Sequence, residues 1–156
     1  MRLRVIAVGT RMPGWVDEAF NEYARRMPRH LALELTELRP ESRTSGKTAA
    51  ALCEAEGERI EAALPEDCLR VMLDERGREM RTEDLARWLD ARTGEGRDIA
   101  FVIGGADGLS PAVKKSAHLM LRLSAMTLPH GLARVLLAEQ LYRATSILQN
   151  HPYHRA

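Results

Sequence analysis

Apolar residues fall along this chain in two rhythms: short dense runs, and longer stretches in which they recur every three or four positions. Arg2 to Val8 is a dense run broken at Gly9 and reads as a buried strand. Gly14 to Met27 places Val16, Phe20 and Met27 with Trp15, Ala19 and Tyr23 at helical spacing, and Pro28 ends it. Leu31 to Leu38 alternates and reads as a half-exposed strand. Arg39 to Thr48 has no periodicity and reads as a loop. A helix rich in Ala, Glu and Leu follows to about Leu64, stopped by Pro65. Cys68 to Asp74 is a third strand, and Thr82 to Arg92 a short helix with Thr82 as its expected N-cap. Asp98 to Gly105 is a fourth strand. Ser110-Pro111 has the cap-plus-first-turn form of a short helix reaching about Ala117. Leu119 to Leu128 is a fifth apolar run, and Gly131 to Gln149 the longest helix. Strands alternating with helices predict an α/β fold with a mainly parallel sheet and helices on both faces. No repeat or linker divides it, so residues 1–156 read as one domain.

Composition narrows the function classes. The chain has 156 residues, is 45% hydrophobic and only 4% aromatic, and carries a formal net charge of +1 from 23 basic and 22 acidic side chains. That balance gives no global attraction to nucleic acid or anionic membrane, so any such contact needs a local patch. Arg25, Arg26, Arg29 and His30, then Arg39, Arg43 and Lys47, then Lys114 and Lys115, form candidate phosphate-backbone patches. Two cysteines outside any CxxC pair fit a reducing cytoplasm. No secretory leader and no membrane-spanning run is expected.

The glycine-rich stretch Phe101 to Pro111, FVIGGADGLSP, invites a nucleotide-phosphate reading that fails on three counts. Its spacing is GGxxG after the fourth strand, not GxGxxG after the first. No Walker pattern closes the SGKT at Ser45 to Thr48. Asp107 inside the loop would repel phosphate. The glycines either let backbone approach a ligand closely or form a tight strand-to-helix turn. The loop Leu123 to Leu128 is apolar, which exposed loops seldom are, so it is expected to lie against a ligand, its own core or a partner. The last helix is apolar on more than one face, as at a homodimer interface or in a central core position. The tail, Asn150 to Arg155, is rich in His, Tyr and Arg. Its two histidines lack neighbouring ligands, so no metal site is expected. No GxSxG elbow is present.

Several segments together resemble one family: Val8-Gly9-Thr10 with Met12 to Val16, Leu73 to Gly77 (LDERG), Phe101 to Pro111, Leu123 to His130 (LSAMTLPH), Arg134 to Ala144 (RVLLAEQLYRA) and Asn150 to Arg155 (NHPYHR). The chain resembles, from end to end, the bacterial 23S ribosomal RNA pseudouridine N3-methyltransferases, small enzymes of the SPOUT superfamily. The resemblance implies a C-terminal deep trefoil knot, a feature no periodicity could show. It implies a cytoplasmic homodimer that binds S-adenosylmethionine in the knot and methylates a pseudouridine in helix 69 of the large ribosomal subunit. The matching cofactor positions are Leu73, Gly104 and the loop Leu123, Ser124, Ala125, Met126, Thr127 and Leu128. S-adenosylmethionine has no phosphate, so a glycine tip beside an apolar loop suits it.

Methylating an imide nitrogen requires removing its proton and stabilising the resulting anion. Arg143 is the expected anion stabiliser, His154 the base or positioning group, and Tyr153 their companion in the tail, which could serve a partner's cofactor. No metal is needed. The rival readings are a SPOUT enzyme acting on tRNA and a ribosome-associated binding protein without catalysis.

Overall fold

The computed structural model describes residues 1–155; Ala156, at the end of the expected domain, lies outside the described residues. Five strands, β1 (Leu3–Val8), β2 (Leu33–Leu38), β3 (Leu69–Glu79), β4 (Ile99–Ile103) and β5 (Leu119–Arg122), form one sheet in the order β2-β1-β4-β3-β5. All four neighbouring pairs are parallel. The helices are α1 (Gly14–Arg26), α2 (Ala49–Ala63), α3 (Thr82–Thr93), α4 (Pro111–Lys115) and α5 (His130–Leu148).

Strand side chains alternate between two faces, and each face has its own core. Leu3, Val5, Ala7, Val71 and Phe101 bury against Phe20 of α1, Leu85 and Leu89 of α3, and Leu137, Leu141 and Ala144 of α5. Ile6, Val8, Met72 and Val102 bury against Ile60 and Leu64 of α2 and Val113 of α4. Covering both faces explains why β1 and β4 are almost wholly apolar.

Gly57 allows α2 to approach the start of α4, where a Cβ would come within 2.8 Å of Ser110 Oγ. That hydroxyl caps α4, as expected, by accepting from Val113 N–H at 3.3 Å. Thr48 caps α2 in the same way.

The boundaries depart from the sequence reading where polar segments take structure from their neighbours. A single 3-10 turn, Arg29–Leu31, occupies the expected start of β2. The N-cap of α3 is Arg81; Thr82 lies inside the helix, and its hydroxyl donates to Gln140 Oε1 at 2.7 Å instead of capping. The fifth apolar run is a strand only to Arg122, and its remainder is loop.

The largest difference is β3, which runs to Glu79 rather than Asp74. Leu73 and Arg78 both pair with Leu121, so Asp74 to Gly77 swing out as a bulge before the chain rejoins β5. Nothing apolar marks Arg78 and Glu79; they become strand because β5 offers backbone partners and Arg122 an ion pair to Glu79 at 2.9 Å. Gly77 makes the crossing feasible: a Cβ there would stand 2.7 Å from the Leu121 carbonyl carbon, which is main chain and cannot rotate away.

Gly77→Ala is therefore expected to lower the denaturant midpoint by on the order of 2 kcal/mol of stability. Gly94→Ala, with open space around its Cβ and a right-handed backbone, should stay within about 0.5 kcal/mol of the parent. Equal midpoints for the two variants would refute the tight crossing.

Candidate active site

The carboxyl ends of the strands open into a cleft of about 880 Å³, the position at which parallel sheets bind ligands. Its walls are Val8 and Gly9 after β1, Leu73 to Glu75 after β3, Ile103 to Gly108 after β4, and Leu121 to Ser124 with Met126 to Leu128 after β5. Pro40, Glu41 and Arg43 close one side, and His130 and Ala133 of α5 another. Of the expected cofactor residues, Leu73, Gly104, Leu123, Ser124, Met126, Thr127 and Leu128 line this cleft. Ala125 does not: it belongs to the same loop and faces away, exposed.

The glycine tip is built for close internal packing. Gly105 and Gly108 form an isolated bridge, and Gly108 turns the chain with φ +78°. A Cβ on Gly104 would meet the Gly108 carbonyl carbon at 2.8 Å, and one on Gly105 would meet Glu56 Oε1 at 2.9 Å. A larger residue at 104 thus strikes the tip itself, not only ligand space. The Cys53 thiol donates to the Asp107 and Gly108 carbonyls at 3.4 and 3.6 Å, and burial raises its pKa, so it braces the tip as a neutral group.

Charges along the walls are matched within the fold. Arg43 reaches Glu56, which is 2% exposed, through two hydrogen bonds at 2.9 and 3.2 Å, and reaches Asp107 at 2.9 Å. Asp107 is thus partnered, and Arg43 is structural; it is not free for RNA. Lys114 pairs with Asp74 at 3.0 Å. Burial disfavours the Asp74 carboxylate, but the Arg76 N–H and the Lys114 ammonium outweigh it and hold its pKa below the ordinary value. Arg122 pairs with Glu79. Carboxylates on the walls (Glu41, Asp74, Glu75, Asp107) outnumber cations (Arg43, Lys114, Arg122), each of which already has a carboxylate partner.

Beneath the cleft sits a network that the sequence reading missed. Arg134 is 0% exposed. Its Nε donates to His130 Nε2 at 2.9 Å, its Nη1 to Glu37 Oε2 at 2.6 Å and its Nη2 to the Gly9 carbonyl at 2.8 Å. His130 Nδ1 lies 3.2 Å from the Gly104 carbonyl. Because Arg134 can only donate, Nε2 accepts; the ring proton is on Nδ1 and is given to Gly104. The available signal was a His and an Arg four residues apart in the apolar first half of the helix, which places both on one face.

The tail residues gather elsewhere. Glu139 Oε1 accepts from Arg143 Nε at 2.8 Å and from the Tyr153 hydroxyl at 3.0 Å. The Arg143 guanidinium lies 4.6 Å from the Tyr153 ring centre. His154 Nδ1 lies 3.3 Å from Arg143 Nη1 and its Nε2 lies 3.3 Å from Glu83 Oε1. Burial and the bond to Glu139 push the Tyr153 pKa up to about 12, so it is a phenol at neutral pH. Arg143 can only donate, so the His154 lone pair on Nδ1 is engaged and its proton faces Glu83. Both ring nitrogens of His154 thus have partners within the chain.

None of these three lines the cleft. Arg143 follows His130 by 13 residues, about 20 Å along α5 at the helical rise. Gly104→Ala is expected to lower both thermal stability and cofactor affinity, and Gly104→Val to lower both further. A Gly104→Val protein with unchanged melting temperature would contradict the crowding at the tip.

Comparison with known proteins agrees with this geometry. The family model "Predicted SPOUT methyltransferase" matches residues 1–154. Proteins named Ribosomal RNA large subunit methyltransferase H from Burkholderia mallei (strain SAVP1) and Burkholderia pseudomallei (strain 668) are each 60% identical over 156 residues, covering all of both chains. A probable methyltransferase from Bordetella pertussis Tohama I shares the fold at TM-score 0.58 and 24% identity, covering 92% of this chain and 95% of that one. The chain belongs to the SPOUT methyltransferase family and groups there with the large-subunit ribosomal RNA methyltransferases H.

Proposed function

We propose that this protein transfers a methyl group from S-adenosylmethionine to N3 of a pseudouridine in helix 69 of large-subunit ribosomal RNA. The cleft carries the reading: a glycine tip and apolar loop whose wall cations are all internally paired, in a chain matched end to end by proteins named as ribosomal RNA methyltransferases. The residues present fit the cofactor. Leu73, Leu123 and Leu128 offer apolar surface to an adenine, and the backbone of Gly104 and of Ser124 to Leu128 offers hydrogen bonds to its edges. Of the wall carboxylates, Glu75 has no ion-pair partner among the described residues and is open to a ligand bearing a sulfonium and an ammonium. When bound, that group supplies an electrophilic methyl.

Arg143 serves as the cation that stabilises the imide anion, with Glu139 and His154 fixing its guanidinium. Tyr153, protonated and stacked under Arg143, holds the tail against α5. The proton on N3 leaves to solvent or to a base supplied with the substrate, and N3 then takes the methyl. The separation of this cluster from the cleft on one chain supports a homodimer in which the tail of one subunit serves the cleft of the other.

Apolar exposure supports the same assembly. Trp15 is 52% exposed and Leu132 and Leu136 are 39% and 37% exposed, on helices α1 and α5, which pack together. Met126, in the apolar loop, is 79% exposed, so that loop is not tucked against its own core. Leu137 faces the core at 0% exposure and is no contact residue. The trefoil knot belongs to the same reading, supported by the match to the SPOUT methyltransferase family.

Labelled methyl from S-adenosylmethionine should enter large-subunit ribosomal RNA at N3 of that pseudouridine. Label in tRNA would favour the other SPOUT reading, and cofactor binding without transfer to either RNA would favour a binding protein. Deleting residues 153–156 should reduce transfer by at least about 10²-fold while leaving cofactor binding intact. Mixing this deletion with a dimeric, cofactor-blind cleft variant should restore activity in the heterodimer; no recovery despite subunit exchange would show that the tail serves its own subunit. Leu136→Glu should convert the dimer to monomer or aggregate in light scattering, and a monomeric parent at micromolar concentration would remove the shared site.

A further inference from the structure

We propose that His130, held as the neutral Nδ1–H tautomer, is a positioning residue of the cofactor cleft: it locks the Gly104 carbonyl to the start of α5, and cofactor affinity follows the protonation of its ring. The inference rests on the cofactor reading above.

The geometry leaves the ring one working state. Nδ1 gives its proton to the Gly104 carbonyl at 3.2 Å, and Nε2 accepts from Arg134 Nε at 2.9 Å. Gly104 ends β4 and lines the cleft, as does His130 itself. Arg134 in turn holds the Gly9 carbonyl at the end of β1 and Glu37 at the end of β2. One imidazole therefore connects three strand tips to one helix.

Protonation reverses the Nε2 contact. The new N–H would face the Nε–H of a cation with 0% exposure, donor against donor and charge against charge. The charged groups that face the ring are Arg134 from α5 and Glu37 from β2; β4 and the end of β1 present only the Gly104 and Gly9 carbonyls. Burial first, and Arg134 second, push the His130 pKa below its ordinary value, against smaller upward pulls from the Gly104 carbonyl and Glu37. The sign follows. A depressed folded pKa means that the unfolded chain binds the proton more readily, so stability is full above the unfolded value of about 6.5 and falls as pH drops below it. Once the ring charges and leaves Arg134, the Gly104 carbonyl loses its donor and the cleft loses a fixed wall.

The experiment is calorimetric titration of the dimer with S-adenosylmethionine from about pH 8 down to the lowest pH at which the protein stays folded, because the ring titrates below the ordinary imidazole value. One unit below the pH at which the ring titrates, only about one molecule in eleven keeps the binding form, so Kd should rise about tenfold. His130→Gln places an acceptor near Arg134 Nε and keeps the buried cation satisfied, but has no Nδ1 proton for Gly104. It should fold, bind about tenfold more weakly near pH 8, and show no acid-side dependence beyond that of the cofactor's own groups. Nitrogen NMR of the wild-type ring should show the Nδ1–H tautomer without any ligand.

A wild-type Kd that stays level while nitrogen NMR shows the ring becoming protonated in a folded protein overturns the proposal, as does a folded His130→Gln protein with wild-type affinity and pH profile. An Nε2–H tautomer overturns it directly. A wild-type protein that binds no S-adenosylmethionine at any pH overturns the cofactor reading, and the positioning role with it. If His130→Gln does not fold, the wild-type pH profile and the tautomer decide.

Discussion

A guanidinium with no exposure to water is the constraint on which the arrangement of this molecule depends. Stripping an arginine of solvent costs several kcal/mol unless donors and charge are matched. Arg134 is matched by a carboxylate from β2, a carbonyl from the end of β1 and an imidazole from its own helix. None of these can shift without leaving a buried donor unpaired, which is costly in its own right. Parallel strands joined by helices are otherwise free to splay at their carboxyl ends. Here those ends are fixed to the first turns of α5, and the cleft inherits the fixed spacing.

The same economy governs the rest of the rim. Arg43 and Lys114 look in the sequence like cations awaiting an anionic ligand, and Arg122 lines the cleft beside them, yet each already holds a carboxylate of the fold. Arg25 and Arg26 both grip Glu22. Among the described residues, Arg29, His30, Arg39, Lys47 and Lys115 have no carboxylate partner, so these five remain of the basic patches as positions for a phosphate backbone.

What the sequence disclosed depended on whether a signal was local. Buried strands such as Ile99–Ile103 announce themselves by unbroken apolar runs, and the Gly104-Gly105 break marks the tip that follows. Ser110-Pro111 gave the start of α4 by cap chemistry alone. The second half of β3 stayed hidden because Arg78 and Glu79 are polar and owe their conformation to a partner strand more than 40 positions later. Thr82 was misplaced because its hydroxyl answers a glutamine on a distant helix. Leu137 and Leu136 are adjacent letters of one apolar helix, yet one is core and the other surface, a distinction set by which side α1 and α3 occupy. The motif resemblance found the cleft loop correctly as a segment, but could not tell Ala125, which turns outward, from its neighbours.

The strand order has a consequence in time. β1 lies between β2 and β4, and Leu3 pairs with Ile99. During synthesis β1 and β2 can associate early, but the central place beside β1 stays vacant until two-thirds of the chain has been made. Until then Leu3, Val5 and Ala7 can find no lasting cover from α5, which is synthesised last. Long-range parallel pairing of this kind slows folding because loop closure must be met before contacts repay it. The nascent chain therefore carries an exposed apolar edge through most of its elongation, a property set by sheet topology rather than by final stability.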